Sequence, residues 1–424
     1  MFYASGRVSS ISLSGLWRHP DFVKLWAGHT ISRFGSEISQ LAIPLTAALV
    51  LNASAFQMGL LGTFEFAPFL LLSLFAGVWV DRLRRKPILI VADIGRALLL
   101  GSIPLAAVLG VLRIEQLYVV GFCTGILTVL FDVADQSYLP ALVSRGHLVE
   151  GNSKLEMSRS VAQIAGPGVG GALVQLVSAP IAILVDAVSF LASAVCLVTI
   201  RAREAAPVRH AHGGGSIWAE LREGLVVVLG NPLLRSIAGC TATTNLFGNG
   251  MMAVYVLYAT RELGIGPALL GIILAAGGPG ALLGALLAGR MANRFGLGAT
   301  IIGASLVGGL ANLLVPLASG PELAIAALLL LASFVGGITN PVYNINQVSL
   351  RQAITPDRLQ GRMNASVRFI VWGTIPIGAL IGGALGDAIG LRPTLALMAA
   401  CSVLATLWIL FSPVRQLKEQ PVPV

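Results

Sequence analysis

The hydrophobic positions of the 424-residue chain gather into twelve long runs that are separated by short polar segments. About 20 consecutive apolar residues are enough to cross the hydrocarbon core of a bilayer as an α-helix. Backbone groups in lipid must be bonded within the protein, and this composition satisfies them through helices. The pattern therefore predicts an all-α membrane protein with twelve transmembrane helices. The runs cover residues 22–50, 56–80, 87–110, 116–139, 155–177, 180–200, 233–259, 267–290, 299–318, 322–345, 366–389 and 393–411.

A polar stretch between the sixth and seventh runs divides the chain near its midpoint. It carries His210 and His212 and ends in the triplet Gly213-Gly-Gly. The following segment, 216–229, places apolar and charged positions at helical spacing, which predicts a short amphipathic helix on the inner membrane surface. Two histidines beside a glycine-rich linker are more often linker than ligand, so we expect no metal site. The predicted organisation is a cytoplasmic tail at 1–20, a six-helix bundle at 21–200, a linker at 201–231, a second bundle at 232–411 and a cytoplasmic tail at 412–424.

The two halves are related by a shift of half the chain length, which places Gly59 on Gly271. Under this half-chain shift, six glycines of the first half fall on glycines of the second, and Gly170-Gly-Ala-Leu173 falls on Gly382-Gly-Ala-Leu385. Both copies start on the same side of the membrane because each holds six spans, so the repeat is parallel. Transporters built from such repeats bind their substrates at the interface of the halves. The predicted fold is therefore two parallel six-helix bundles with a site between them.

Composition and charge support a membrane location. The chain is 56% hydrophobic and 11% charged, with a mean hydropathy of +0.84, whereas soluble domains are roughly 25% charged. Of the 28 Lys and Arg residues, only Arg113, Arg261 and Arg392 fall in loops expected outside, and Arg33 and Arg96 lie within spans. The others lie at the opposite face, as in the positive-inside distribution. The net charge of +9 therefore predicts topology, with both termini cytoplasmic, and no nucleic-acid partner.

Ionisable side chains inside the spans are the candidates for chemistry, because each is costly in lipid unless it is paired or hydrated. The first span carries His29, Arg33 and Glu37 at successive i, i+4 positions, so they share a helix face, which Gln40 continues. Glu65 lies in the second span. The half-chain shift gives these charges neutral counterparts, namely Thr241, Asn245, Asn249 and, for Glu65, Gly277. The asymmetry predicts that charge-dependent coupling belongs to the first half.

Two interpretations of the first-span charges stay open. In one, Glu37 or Glu65 takes up a coupling proton, and Arg33 modulates the proton affinity of Glu37. In the other, Arg33 and Glu37 form only a structural ion pair within one helix. The polar side chains expected to line a substrate cavity are His29, Gln40, Asn245, Asn249, Asn340, Asn344 and Gln347.

The loop between the second and third spans carries a specific resemblance. It runs from Gly77 through Asp81-Arg82 to the basic cluster Arg84-Arg85-Lys86 and resembles the signature loop of the major facilitator superfamily. The equivalent loop in the second half keeps the glycine and the arginine but has an asparagine for the aspartate. The resemblance implies that Asp81, Arg82 and Arg85 form a conformational charge network. It also implies that Asp93, Arg96, Asp132 and Asp135 are gate and scaffold residues rather than substrate ligands.

The fifth span carries a second family signature. Gly166-Pro167, followed by Gly170 and Gly171, is similar to the helix-packing motif of the antiporter branches, although Ala162 stands where that motif has its first glycine. The same glycines match a dinucleotide-binding pattern, but no strand precedes them, so we expect no such site. The segments 16–26, 93–96, 138–143 and 148–152 resemble the macrolide-efflux and enterobactin-exporter branch of the superfamily.

The resemblance implies a secondary active transporter and not an enzyme. The expected activity is export of a lipophilic or amphiphilic small molecule by proton antiport and rocker-switch alternating access. The proton gradient would supply the energy, and no cofactor is expected. The expected partners are the substrate and the lipid bilayer, and the expected state is a monomer in a bacterial plasma membrane. The alternatives are a metabolite importer or facilitator of the same fold, or a membrane scaffold or sensor that transports nothing.

Overall fold

The computed structural model describes residues 15–81, 83–202, 204 and 217–419. Every regular element in these ranges is helical. The α-helices are α1 Pro20–Leu45, α2 Ala55–Asp81, α3 Arg85–Val108, α4 Ile114–Leu142, α5 Leu148–Leu176, α6 Ala179–Val198, α7 Ile217–Gly230, α8 Pro232–Leu257, α9 Pro267–Ala275, α10 Gly277–Phe295, α11 Leu297–Leu317, α12 Glu322–Ile354, α13 Asp357–Ile389, α14 Leu391–Leu404 and α15 Leu407–Leu410. A π-helical turn extends α1 over Thr46–Val50, and another extends α8 over Tyr258–Glu262.

The helices match the twelve predicted spans one for one. α1 to α6 form the first six, and α8, the pair α9 and α10, α11, α12, α13 and the pair α14 and α15 form the second six. By length and composition, nine spans in the described ranges can cross a bilayer, or ten if the bent pair of α7 and α8 counts as one. α1 and α5 are more polar than these, because they carry the charged residues and glycines singled out above.

The two halves pack their helices in the same pattern. In the first half α1 packs against α5 and α6, and α3 packs against α4 and α6. In the second half α8 packs against α13 and α14, and α11 packs against α12 and α14. Each of these pairs is related to its counterpart by the half-chain shift. The repeat found in the sequence is therefore a repeat of structure.

Glycines bring the two halves into contact. A methyl group on Gly59 of α2 would lie 2.5 Å from the carbonyl oxygen of Ala379 and 2.9 Å from Cα of Gly383 on α13. A methyl group on Gly271 of α9 would lie 3.0 Å from Cα of Gly171 on α5. Small residues at such crossings let helix backbones approach closely. The two crossings are repeat-related, because Gly59 is equivalent to Gly271 and Gly171 to Gly383.

The buried apolar side chains join the halves at one end only. The largest cluster includes Leu41 and Leu61 from the first half together with Val254, Leu270 and Leu395 from the second. At the end that carries the basic loops, the other clusters each stay within one half. We call these the closed end and the basic end. The structure is thus a conformation in which the halves are sealed at the closed end and separated at the basic end.

Polar contacts reinforce the closed end. The carboxylate of Asp387, near the end of α13, accepts hydrogen bonds from the backbone N–H of Ala55 (2.8 Å) and of Phe56 (3.2 Å) and from the hydroxyl of Ser54 (2.8 Å). These groups lie at the start of α2, so a carboxylate of the second half caps a helix of the first. The guanidinium of Arg261, in the second half, donates a hydrogen bond to the carbonyl oxygen of Ala48 in the first half, 3.2 Å away.

Two local predictions can be compared with the structure. The predicted amphipathic helix is present as α7, but its described part packs against α13: Val228 is fully buried, and Glu223 pairs with Arg362. The run Gly277-Gly-Pro-Gly280 predicts an interruption of the eighth span, and the structure breaks this span just before the run, at Ala276 between α9 and α10. His210 and His212 lie outside the described residues.

Candidate functional site

α1 and α4 meet through a group of charged side chains. The guanidinium of Arg33 lies 3.4 Å from the carboxylate of Asp132 and donates to Nε2 of His29 at 3.1 Å. Nδ1 of His29 lies 3.6 Å from a carboxylate oxygen of Asp135. The structure thus brings together two residues expected in the cavity or in coupling and two expected in the gate. Their common location was not predicted, because the two helices are far apart in the chain.

A second ion pair is buried inside the first half. Arg96 on α3 pairs with Asp93 one turn earlier, and the two residues are 5% and 0% exposed. The Arg96 guanidinium lies between two aromatic rings, 4.3 Å from the centroid of Phe131 and 4.1 Å from that of Phe190. Such stacking favours arginine over lysine. The pair therefore links α3 to α4 and α6, and the scaffold role that the resemblance implies for it stays a prediction.

Glu37 has a different neighbour from the one expected. No ion pair joins it to Arg33 or to any other cation of the described chain, so the structural ion pair of the second interpretation is not formed in this conformation. Instead, a methyl group on Gly166 of α5 would overlap Cβ of Glu37. Gly166, the glycine of the Gly-Pro pair, is therefore the place where α5 makes room for the Glu37 side chain.

The rest of that motif follows α1 and then leaves the first half. A methyl group on Gly170 would lie 3.2 Å from Cα of Ile38 on α1. Gly171 faces Gly271 of α9, where a methyl group would overlap the carbonyl oxygen of Pro167. One helix face of α5 therefore touches both the carboxylate-bearing α1 and the second half.

Glu65 on α2 has no ion-pair partner among the side chains that the structure describes. A methyl group on Gly121 of α4 would lie 3.0 Å from Cγ of Glu65, so a glycine adjoins this carboxylate side chain too. Thr63, two residues earlier, donates its hydroxyl to the carbonyl oxygen of Pro376 on α13, at 3.0 Å. α2 therefore contacts the second half through Thr63, while the Glu65 side chain faces α4 within the first half.

Uncharged groups occupy the equivalent places in the second half. The hydroxyls of Thr241 and Tyr343 are 2.8 Å apart, at the positions that correspond to His29 and Phe131, whose rings also meet. Asn249 donates to the carbonyl oxygen of Asn245 at 2.8 Å. The amide of Asn245 points to the carbonyl oxygen of Val371, 3.4 Å away.

α12 carries a row of amides. Asn344 donates to Oδ1 of Asn340 at 2.8 Å, and Gln347 donates to Oδ1 of Asn344 at 3.3 Å. Asn340 and Asn344 are exposed, whereas Gln347 is buried and its Oε1 has no partner within the described chain. Gln40 is exposed on α1. In the second half, the predicted cavity residues thus form two clusters, one on α8 and one on α12.

The signature loop is described only in part. Gly77 and Asp81 belong to α2, but the Asp81 side chain and the whole of Arg82 lie outside the described residues. Arg85 is described, and its guanidinium lies 3.4 Å from the carboxylate of Glu204. Glu204 also accepts from the backbone N–H of Arg85 at 2.9 Å and of Lys86 at 3.2 Å, so it caps the start of α3.

Sequence reasoning assigned no role to three acidic residues, namely Asp387 at the closed end, Glu204 and Asp186. Glu204 is the only acid in the polar stretch 201–212, which was a usable signal for a helix cap. Asp186 on α6 was left without a role. It is 2% exposed, it accepts from the hydroxyl of Ser189 at 3.1 Å, and it lies against Gly35 of α1. Within the described residues there is no cluster of three or more side chains suited to a metal ion.

Comparison with known protein families identifies the family of this chain. The family model described as "transmembrane secretion effector", a branch of the major facilitator superfamily, matches residues 12–423. The chain belongs to this family. As a member of the family, it is a multi-pass membrane transporter with the two-bundle fold.

Relatives of this family member include named exporters. The multidrug efflux pump Tap of Mycolicibacterium fortuitum is 27% identical over 408 residues, which cover 94% of this chain and 97% of the pump. The enterobactin exporter EntS of Salmonella typhimurium is 26% identical over 390 residues, which cover 91% and 89% of the two chains. These similarities confirm the branch of the superfamily to which the sequence motifs pointed.

Solved structures confirm the fold. A bacterial homologue of the iron transporter ferroportin, crystallised in an inward-facing state, superposes with a TM-score of 0.76 at 16% identity, covering 93% of this chain and 98% of that one. A bacterial homologue of the lysosomal transporter Spinster, inward-facing and occupied, gives 0.71 at 17% identity, covering 94% and 97%. At these identities the likeness establishes the fold and nothing about the substrate.

Proposed function

We propose that this transporter exports a lipophilic or amphiphilic small molecule in exchange for protons. Membership of the family and the exporters among its relatives support the direction of transport. The positive-inside rule makes the basic end cytoplasmic, so the described conformation opens its space between the halves to the cytoplasm, where an exporter collects its substrate. The proposal involves no chemical conversion and no cofactor, and it assigns the whole pathway to one chain.

The observation that carries the proposal is the position of two carboxylates. Glu37 and Glu65 lie within spans and have no ion-pair partner in the described chain. Glu37 adjoins α5 and Glu65 belongs to α2, and both of these helices contact the second half. A carboxylate in a span is costly unless it is hydrated, paired or protonated. Alternating access changes the hydration of both sites, because the interface between the halves opens first at one end and then at the other.

The proposed cycle follows from that change. In the conformation open to the basic end, the carboxyl group releases its proton to the cytoplasm and the substrate binds. In the conformation open to the other end, the substrate leaves and a proton from outside binds to the same carboxylate. One full cycle therefore moves the substrate outward and the proton inward, with no net change in the protein. Arg33, held by Asp132 and His29, provides the positive field near Glu37.

Everted membrane vesicles that contain the full chain test the proposal. A proton gradient should drive uptake of a lipophilic dye such as ethidium, and a protonophore should abolish it. The variants Glu37→Gln and Glu65→Gln remove one carboxylate each, and we expect at least one of them to lose gradient-driven uptake. Glu156→Gln is the matched control, because Glu156 is an exposed acid of α5 that pairs with Arg159 and should keep wild-type uptake.

Two outcomes would contradict the proposal. Gradient-driven uptake that persists in both single variants and in the double variant would exclude the two carboxylates as proton carriers. Dye movement in the opposite direction, out of everted vesicles, would favour the importer or facilitator alternative.

A further inference from the structure

A cleft between α2 and α13 lies outside the site described above. Near the closed end these two helices touch through Gly59 and Gly383. They separate toward the basic end, below the point where the rings of Phe69 and Trp372 meet with centroids 5.8 Å apart. The separation leaves a cavity of about 300 Å³, and its wall includes Phe69, Leu70, Asn364, Arg368, Phe369 and Trp372.

Arg368 is the unusual member of this wall. Its guanidinium lies 5.2 Å from the ring centroid of Trp372 and forms no ion pair with a carboxylate of the described chain. Arg362 on the same helix is paired with Glu223, whereas Arg358 and Arg351 form no ion pair within the described chain. The side chain of Arg368 is exposed at the cavity, so its guanidinium can bind an anionic group there.

The depth of Arg368 suits an amphiphilic ligand. The residue lies roughly 30 Å along α13 from the closed-end terminus at Ile389, given a rise of about 1.5 Å per residue, and this is about the thickness of the hydrocarbon core. The guanidinium is therefore at the level of the lipid headgroups on the basic side. The aromatic rings of Phe69 and Trp372 lie on its apolar side.

The repeat-related cleft lacks these features, which argues against a general property of the fold. The half-chain shift places Glu156 at the position of Arg368, Ser160 at that of Trp372 and Ala281 at that of Phe69. The amide is kept, as Asn152 for Asn364, and so is Leu70, as Leu282. The combination of a cation with aromatic rings is thus particular to the cleft between α2 and α13.

We propose that this cleft binds an amphiphilic anion. The acidic head, a carboxylate, sulfonate or phosphate, would bind the guanidinium of Arg368, with the amide of Asn364 beside it. The apolar body would pack on Phe69, Phe369 and Trp372. Such a molecule is either an anionic lipid or an acidic substrate on its way to the space between the halves. Because the cleft exists where α2 and α13 diverge, the ligand binds the conformation that is open at the basic end.

Equilibrium binding with a pair of probes tests this site. The full chain is placed in phosphatidylcholine nanodiscs and titrated with anilinonaphthalene sulfonate, and separately with phenylnaphthylamine, which has the same aromatic body without the acid. Arg368→Gln should weaken binding of the sulfonate by about tenfold and leave the neutral probe unchanged. Trp372→Ala should weaken both. Retained binding of the neutral probe shows that the Arg368 variant is folded.

Arg290→Gln is the matched control for the charge. Arg290 is exposed on α10 and donates only to the carbonyl oxygen of Leu286 in its own helix, so its loss should not affect either probe. If Arg290→Gln weakens the sulfonate as much as Arg368→Gln does, or if Arg368→Gln has no effect, the proposal is wrong.

A further arm distinguishes the two sources of the anion. Phosphatidylglycerol added to the nanodiscs should displace the sulfonate from the wild-type chain if the site holds a lipid headgroup. If the lipid does not compete and proteoliposomes move the sulfonate only when Arg368 is present, the site receives a substrate. The binding measurement needs no proton gradient, so its failure would leave the proposed antiport untouched, and failure of the antiport would leave the binding site untouched.

Discussion

At the same place in the two halves, α1 meets α4 through charges, and α8 meets α12 through a hydroxyl pair. Arg33 faces Asp132 in the first half, where the second has Asn245 and Asn344 at the equivalent positions. The helix packing is the same in both, so the charges are not needed to build the bundle. They are an addition to a framework that is built with neutral side chains at the equivalent positions of the second half.

The closed end shows the opposite distribution. There the second half supplies the carboxylate, since Asp387 of α13 caps the start of α2. The repeat equivalent is Gln175, whose Oε1 would lie 3.2 Å from a methyl group on Gly266 at the start of α9. The first half therefore has its charged side chains inside its own bundle, whereas the second half has a charged side chain at the contact between the bundles. Charge within a bundle suits proton handling, and charge between bundles suits control of the conformational equilibrium.

The largest expected difference between the halves concerns stability. Arg96→Ala leaves the buried carboxylate of Asp93 without its partner, which typically costs about 3–5 kcal/mol of folding free energy. The equivalent of Asp93 in the second half is Ser305, whose hydroxyl lies 2.9 Å from that of Thr406. Ser305→Ala removes a neutral hydrogen bond and should cost about 1 kcal/mol. Thermal unfolding of both variants in detergent measures the difference.

A double variant controls for the lost aromatic stacking. Asp93→Asn combined with Arg96→Met replaces the ion pair by neutral side chains of similar size, which is often nearly neutral for a buried pair, so most of the stability should return. Equal destabilisation by Arg96→Ala and Ser305→Ala would remove the distinction between a charged and a neutral half.

The second expected difference concerns the conformational equilibrium. Asp387→Ala removes three hydrogen bonds across the closed end, and Gln175→Ala changes the repeat-related contact, for which no hydrogen bond is seen between described residues. We expect Asp387→Ala to raise the population that is open at the closed end by roughly tenfold, and Gln175→Ala to change it little.

Spin labels on the closed-end loops measure this equilibrium. Labels attached at Gly110 and Ser319, both on the surface, report the separation of the halves by double electron–electron resonance in a cysteine-free background. A longer distance component should grow in Asp387→Ala only. If both variants shift the distances equally, the closed end is held by packing alone, and the Asp387 contact does not control opening.

Periodicity and composition predicted the fold more completely than they predicted the candidate site. The twelve spans, the parallel repeat and the list of charged positions inside spans all follow from local patterns of hydrophobicity and glycine. The glycines that coincide under the half-chain shift were the strongest signal. Gly59, Gly171, Gly271 and Gly383 lie where helices of the two halves cross. A position that must lack a side chain in both copies stays glycine in both.

Partners were harder to predict than positions. Arg33 was expected to interact with Glu37, four residues away on the same helix, but its guanidinium reaches Asp132 of α4 instead. A helix offers an arginine neighbours at i+4 and also on every helix packed against it, and only the packing decides between them. Asp387 was missed for a related reason: a single acid at the end of a span resembles an ordinary helix end until the second half is placed beside it.

The smallest expected effect tests the neutral half directly. The hydroxyls of Thr241 and Tyr343 are 2.8 Å apart, so Tyr343→Phe and Thr241→Val should each lower stability by about 1 kcal/mol, and the double variant by less than the sum of the two. Proton-driven dye uptake should stay at the wild-type level in all three, because this contact only joins α8 to α12. Loss of uptake in Tyr343→Phe, with stability retained, would mean that the second half takes part in coupling and would overturn the division of roles between the halves.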